Sequence, residues 1–207
     1  MLSKYLGYRN NQRVIDSQIR SFIAIELPDE LKAGLIVFQK KMKLPGHNFV
    51  RWVSIDGIHI TLKFLGNVTP KQIEDIQRSL EPIAQSRRVF TLHTAATGVF
   101  PNLQRMRVFW LGLNGDIANL IELQHAIDAS LLKSGFEPEK RPFTPHLTLA
   151  RLKDDCRQNE RWEFGELIKE TRYEPIYYIK VEKISLMRSQ LLPGGAVYSK
   201  IAEFKLQ

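Results

Sequence analysis

His59-Ile60-Thr61-Leu62 and His146-Leu147-Thr148-Leu149 carry one pattern twice: histidine, apolar residue, threonine, apolar residue. The two histidines stand 87 residues apart. Each segment reads as a β-strand, on which neighbouring side chains leave opposite faces. His59 and Thr61 therefore share one face, and Ile60 and Leu62 the other. His146 and Thr148 oppose Leu147 and Leu149 in the same way. The apolar pair of each strand can be held in a core while imidazole and hydroxyl face a cleft. Two such strands side by side make a site of two histidines and two threonines, consistent with a duplicated unit.

The flanking sequence supplies the frame. Phe22-Ile23-Ala24-Ile25 is an apolar run typical of a buried strand. Pro28, Asp29 and Glu30 open a helix with the inward face Leu31, Leu35, Phe38 and Met42. Val50 to Val53 and Ile58 to Leu65 read as strands parted by an Asp56-Gly57 turn. Thr69-Pro70, with Gln72 three residues after the threonine, starts a second helix bearing Ile73, Ile76, Leu80 and Ile83. Pro82 predicts its end. Val89 to Val99 and Arg107 to Leu113 form a strand pair. A third helix spans Asp116 to Ser134, with Ile117, Leu120, Ile121, Ala126 and Leu131 inward and Gly135 at its end. Phe143 to Leu152 is a strand, and the polar segment Asp154 to Arg161 is expected to be a mobile loop. Ile176 to Leu186 and Ala196 to Phe204 close the chain as a strand pair. Strands, hairpins and interspersed helices predict an α+β fold with antiparallel or mixed sheets.

Composition narrows the class. The chain of 207 residues is 43% hydrophobic and 25% charged, ordinary for one large domain or two packed lobes. The single cysteine, Cys156, excludes an internal disulfide framework and a cysteine-based zinc site. No apolar run is long enough to span a membrane, and a reducing cytoplasm is the expected location. The formal net charge of +8 suits a polyanionic partner such as RNA. Residues 1–20 are polar, lack a clear apolar period and have no secretory h-region. They are expected as a poorly ordered extension to a single domain over residues 21–207.

The twin pattern points to phosphodiester hydrolysis. Imidazole titrates near neutrality, so one histidine can accept a proton from water while the other donates one to the leaving oxygen. Threonine hydroxyls can donate to the non-bridging phosphate oxygens, where charge builds as water attacks. The motif residues alone leave open which histidine is acid and which is base. A metal site would need a further cluster of histidines or carboxylates. Only Asp154-Asp155 lies near either motif, so neither a metal nor another cofactor is expected. Arg51, Arg141 and Arg151 are candidate phosphate contacts, with a surface ion pair as the alternative for Arg141 and Arg151. Phe143 is a candidate base-stacking residue, or else a core aromatic. His47, His93 and His125 lack the pattern and read as structural.

The combination of Phe22-Ile23-Ala24-Ile25-Glu26-Leu27-Pro28, Val50-Arg51-Trp52-Val53, His59 to Gly66, Val108 to Gly112, Arg141 to Arg151 and Tyr198 to Leu206 resembles the 2H phosphoesterases. In particular, it resembles the RNA 2',3'-cyclic phosphodiesterases, also called 2'-5' RNA ligases. The resemblance covers residue 20 to the C-terminus. It implies a bilobal, pseudo-twofold arrangement of two antiparallel or mixed sheets, with helices outside and the cleft between lobes. It implies hydrolysis of a terminal cyclic phosphate to a 2'-phosphate, with His59 as proton donor, His146 as proton acceptor, and Thr61 and Thr148 on the phosphate. The expected partners are RNA ends or tRNA fragments carrying the cyclic phosphate, and a monomer is expected. The alternatives are the reverse joining reaction, cleavage of 2'-5' linkages, and a non-catalytic RNA-binding module.

Overall fold

The computed structural model describes residues 18–193 and 195–207. Nearly all of the expected extension 1–20 falls outside them. The first described strand, β1, is Ile19–Ile25, and it starts two residues before the expected Ser21. There follow α1 (Asp29–Met42), β2 (Val50–Trp52), β3 (Ile60–Val68), α2 (Pro70–Gln85), β4 (Phe90–Phe100), β5 (Val108–Gly115) and α3 (Ile117–Leu132). The chain ends with β6 (His146–Leu152), α4 (Gln158–Glu170), β7 (Tyr178–Val181), β8 (Lys183–Leu192) and β9 (Gly195–Lys205).

The helices form for reasons written locally. In α1, Leu31, Leu35, Phe38 and Met42 are all buried, as their spacing predicts. In α2 the capping box closes: Gln72 N–H donates to Thr69 Oγ1 at 3.2 Å, and Thr69 N–H donates to Gln72 Oε1 at 2.9 Å. Pro82 does not end this helix, which runs on to Gln85. Proline removes one donor only, and so near the C-terminus the turn still closes through Ser86 N–H to Pro82 O at 3.1 Å. Gly135 adopts φ of 84° just past α3, a left-handed conformation that favours glycine.

Two expectations change. The Asp154–Arg161 loop gives way to α4 from Gln158, with Arg157 N–H donating to Glu160 Oε2 at 2.7 Å in its first turn. Phe164 and Ile168 are its buried anchors, while Trp162 is exposed. That stripe is too sparse to show a helical period in sequence. The inward face of α3 is Leu120, Leu123, Gln124, Ile127, Asp128 and Leu131. Two of these are polar, because the Lys63 ammonium reaches in from β3 to Asp128.

All strand pairings are antiparallel, and the strand order is β7-β4-β5-β6-β3-β1-β8-β9, with β2 added against β6. The order reads the same outward from its middle: β6 answers β3, β5 answers β1, β4 answers β8 and β7 answers β9. The two expected sheets are thus the halves of one sheet, joined at β3 and β6. The expected strand Ile176–Leu186 breaks at Glu182 into β7 and β8, which lie at distant positions in the order. Chain continuity therefore curls the sheet until its ends approach. Val89 N–H donates to Gln207 O, and Gln207 N–H to Arg87 O, both at 2.8 Å. Ile60, Leu62, Leu147 and Leu149 join buried residues of all four helices in one core, around the fully buried Phe109 and Phe164.

Candidate active site

The two motifs meet at the middle of the sheet. Ile60 on β3 lies opposite Leu147 on β6, and both are fully buried. Antiparallel geometry about that pair sets Thr61 on the His146 side and His59 on the Thr148 side. The four polar side chains leave the face opposite the core, and all are partly buried. The structure therefore brings His59, Thr61, His146 and Thr148 together, as the alternation of each strand predicts.

A matched irregularity shapes both strands. The β1–β3 register jumps from Ile23↔Lys63 to Ala24↔Thr61, leaving Leu62 as an extra residue. The β5–β6 register jumps from Phe109↔Ala150 to Trp110↔Thr148, leaving Leu149 extra. Each motif thus ends on a β-bulge, which re-aims the residues after it. Leu62 and Lys63 are both buried, as are Leu149 and Ala150, and the next residues, Phe64 and Arg151, return to the site face exposed.

Aromatic rings enclose the imidazoles. His59 stacks on Phe22 at 4.6 Å between ring centroids, and Tyr198 meets it edge-on at 5.3 Å. Phe100 lies edge-on to His146 at 5.0 Å, and Trp110 lies at 6.2 Å. Trp110 pairs with Gly98 on one side and Thr148 on the other. A Cβ at Gly98 would overlap its ring, so this position requires glycine. These aromatics were not picked out as site residues from sequence. Phe22 sits in a run of apolar residues where no alternation separates core from cleft, and the others arrive from distant strands.

Burial sets the protonation state. It draws His59 down to about 4, against smaller upward effects of a hydrogen bond to the Gly57 backbone and the Glu26 carboxylate. Glu26 is itself held by Ser185 Oγ at 2.7 Å and Lys200 Nζ at 2.8 Å. His146 is also lowered, first by burial and further by the Arg151 charge, while its bond to Thr144 acts upward. Its Nδ1 lies 2.7 Å from Thr144 O. A carbonyl only accepts, so Nδ1 carries the proton and the Nε2 lone pair of the neutral ring is free. At neutral pH the ligand-free site holds two neutral imidazoles. Among the described residues, neither Thr61 nor Thr148 donates its hydroxyl to another protein group.

The other sequence candidates fall around this centre. Arg51 is exposed and lies opposite Arg151 in the β2–β6 register. Arg141 is exposed in the approach to β6, and Phe143 is half-buried against the core. His47 is buried elsewhere, 3.3 Å from Glu163, and His125 is exposed on α3. Among the described residues there is no group of three His, Cys, Asp or Glu side chains placed to hold a metal ion. No described helix is long and apolar enough to cross a membrane.

Comparison with known proteins places this geometry. The model of the 2'-5' RNA ligase superfamily matches residues 46–191, which include both motifs. The RNA 2',3'-cyclic phosphodiesterase of Methanothermobacter thermautotrophicus is 31% identical over 189 residues, covering 91% of this chain and 100% of that protein. Its counterpart from Methanocaldococcus jannaschii is 31% identical over 198 residues, covering 90% of this chain and 100% of that protein. Among solved structures, Escherichia coli LigT complexed with 3'-AMP superposes with a TM-score of 0.75 at 27% identity, covering 92% of this chain and 99% of that one. With the twin motifs joined in one site and matched along most of its length, the chain belongs to the 2'-5' RNA ligase superfamily.

Proposed function

We propose that the protein hydrolyses the 2',3'-cyclic phosphate at an RNA end to a 2'-phosphate, using two histidines and no metal. The observation that carries this reading is the Ile60–Leu147 pairing, which sets one imidazole and one threonine of each motif about a common point. The names of the relatives supply the substrate class.

In this reading the His146 Nε2 takes a proton from water as the water oxygen attacks phosphorus. The P–O3' bond breaks, and His59 delivers a proton to O3'. Thr61 and Thr148 donate to the non-bridging oxygens as their charge grows. His59 is neutral in the free site at pH 7, so it takes up its proton from solvent when the substrate binds. The negative phosphodiester beside the ring favours imidazolium and draws a proton onto it. Arg51, Arg141 and Arg151 are assigned to RNA phosphates and Phe143 to a base, with RNA ends or tRNA fragments as the partners.

The test is turnover of an oligonucleotide ending in 2',3'-cyclic phosphate by wild type, His59→Ala and His146→Ala. Loss of a general acid or base is expected to lower kcat by about 10²- to 10⁴-fold in each, with wild-type activity retained in excess chelator. An undiminished rate in either variant would remove the shared-site reading, and loss of activity to the chelator would remove its metal-free form.

A further inference from the structure

The β1–β3 register pairs Ala24 with Thr61 and Ile25 with Ile60. One step beyond it stand Glu26, just past β1, and His59, just before β3. Ile25 and Ile60 are both buried in the core, so alternation turns the next side chains, Glu26 and His59, to the site face. Cross-strand neighbours on one face have Cβ atoms about 4.5–5.5 Å apart. The register that places Thr61 therefore also sets a carboxylate beside the His59 imidazole.

Glu26 is held in place from behind. Ser185, on β8, is 1% exposed and donates through Oγ to Glu26 Oε2 at 2.7 Å. Lys200 Nζ, on β9, lies 2.8 Å from the same oxygen. Lys200 also reaches Glu203 at 2.8 Å, and Lys183 reaches Glu203 at 3.0 Å. The strand order β3-β1-β8-β9 puts Glu26 on the His59 side of this cluster, with Ser185 and Lys200 beyond it. Burial acts to raise the Glu26 carboxyl, but Lys200 and Ser185 outweigh it and hold it below the usual carboxylate range. The other neighbours of the His59 ring are Phe22 from β1, Tyr198 from β9 and the Gly57 backbone, and none carries a charge. Across the site lie Thr148 and His146, which is neutral at pH 7.

The other half has no such partner. The β5–β6 register sets Gly112 opposite His146. Gly112 is buried, and a Cβ there would lie 3.0 Å from Ala96 O and 3.3 Å from the Trp110 ring. The two halves of the site, alike in their motifs, thus differ in what stands beside each histidine.

We propose that Glu26 is a positioning residue for the acid step: its fixed carboxylate balances the imidazolium that His59 becomes, while Gly112 leaves His146 without that support and suited to the base. The inference rests on the hydrolytic reading above and gives a physical reason for its division of labour. When substrate binds, His59 takes up a proton from solvent, and the phosphodiester and Glu26 hold it there from two sides. That proton passes to O3' as the P–O3' bond breaks, and the ring returns to neutral beside an unchanged carboxylate.

The test uses the full chain and two readouts. One is kcat/KM at pH 7 on an oligonucleotide ending in 2',3'-cyclic phosphate. The other is the protonated fraction of His59, read from its NMR ring signals at a pH near its value of about 4. Glu26→Gln keeps the shape and removes the charge. An opposite charge at this range moves a pKa by about one or more, and each such step is tenfold in the charged fraction. Glu26→Gln should therefore lower kcat/KM by about tenfold and the protonated fraction of His59 several-fold, with the His146 signals unmoved. Glu26→Asp should retain part of both. Combined with His59→Ala, the loss should fall well short of the product of the two single losses. An undiminished rate, losses that multiply in the double variant, or unmoved His59 signals overturn the proposal. A wild type that leaves the cyclic phosphate uncut while the His59 signals still respond to Glu26→Gln overturns the hydrolytic reading and upholds the pairing of Glu26 with His59.

Discussion

Ile60 and Leu147 face each other where β3 meets β6, and theirs is the one residue pair in register between those strands. Each is the second residue of its motif, and each is fully buried. The pair ties the two halves of the sheet together directly behind the histidines and threonines. Truncating it should therefore affect the core and the site at once. Ile60→Ala should destabilise the protein by about 2–5 kcal/mol, as for other buried large-to-small changes. It should also lower kcat under conditions where the variant is fully folded. Denaturant melts and single-substrate kinetics check both. A variant that is destabilised but retains wild-type kcat would show that the pair does not set the geometry of the site.

The threonines are expected to act on the transition state rather than on substrate affinity. Thr61→Val and Thr148→Val keep the shape and remove the donor. Each should reduce kcat by about 10²- to 10³-fold, the scale found when one oxyanion donor is lost. KM should change little by comparison. A rise in KM at constant kcat would mean that the hydroxyls bind ground and transition states equally.

The pH dependence follows from burial. With His59 as the acid and His146 as the base, as proposed, the free enzyme should be active with His59 protonated and His146 neutral. His59 lies at about 4 and His146 below its ordinary value near 6.5, so kcat/KM should be bell-shaped with its maximum below pH 6.5. Bound phosphate raises both values, so the profile of kcat should lie at higher pH than that of kcat/KM. A kcat/KM maximum above pH 7.5 would contradict the assignment.

Stability should follow pH through the same group. Between about pH 6.5 and 4 the unfolded chain protonates His59 while the folded protein leaves it neutral. The unfolded state then binds more protons, and stability falls as pH falls through that window. His59→Asn removes the titrating group and should flatten this part of the curve in chemical denaturation from pH 7 to 4. An unchanged slope would show that His59 is not held neutral by the fold.

Lys63 and Asp128 form a buried ion pair that ties β3, at its bulge, to α3, and Lys63 also donates to Glu137 O at 2.8 Å. Gln124 Nε2 donates to the second Asp128 oxygen at 2.8 Å. Removing one partner leaves a buried charge alone. Lys63→Met or Asp128→Leu should each cost about 3–5 kcal/mol, and the double replacement far less than the sum. A double-mutant cycle by urea unfolding measures this directly, and additive losses would show that the two groups are not coupled.

Much of the molecule was legible in its sequence because the signals are local. The two-residue alternation of His59 to Leu62 and of His146 to Leu149 divides cleft from core without reference to any other residue. Thr69, Pro70 and Gln72 specify a helix start through their own backbone hydrogen bonds. The stripe Leu31, Leu35, Phe38 and Met42 reports a buried helix face by its spacing alone. α4 escaped notice because Phe164 and Ile168 are a weak stripe that becomes decisive only when packed against Phe109 and Trp52. The break at Glu182 is likewise tertiary: β7 and β8 look continuous until β4 and β1 claim them separately.

The same division runs through the site. The sequence by itself determined which four side chains face a cleft, since on a strand that depends on alternation alone. Only the tertiary structure decided that the two strands are neighbours, that bulges at Leu62 and Leu149 return Phe64 and Arg151 to the site, and that Arg51 stands opposite Arg151. It also decided the chemistry of the imidazoles. Their protonation depends on how much water Phe22, Tyr198, Phe100 and Trp110 exclude, and on the Thr144 carbonyl that holds the Nδ1 proton of His146. Desolvation is a property of what surrounds a group in space, and no spacing along the chain encodes it.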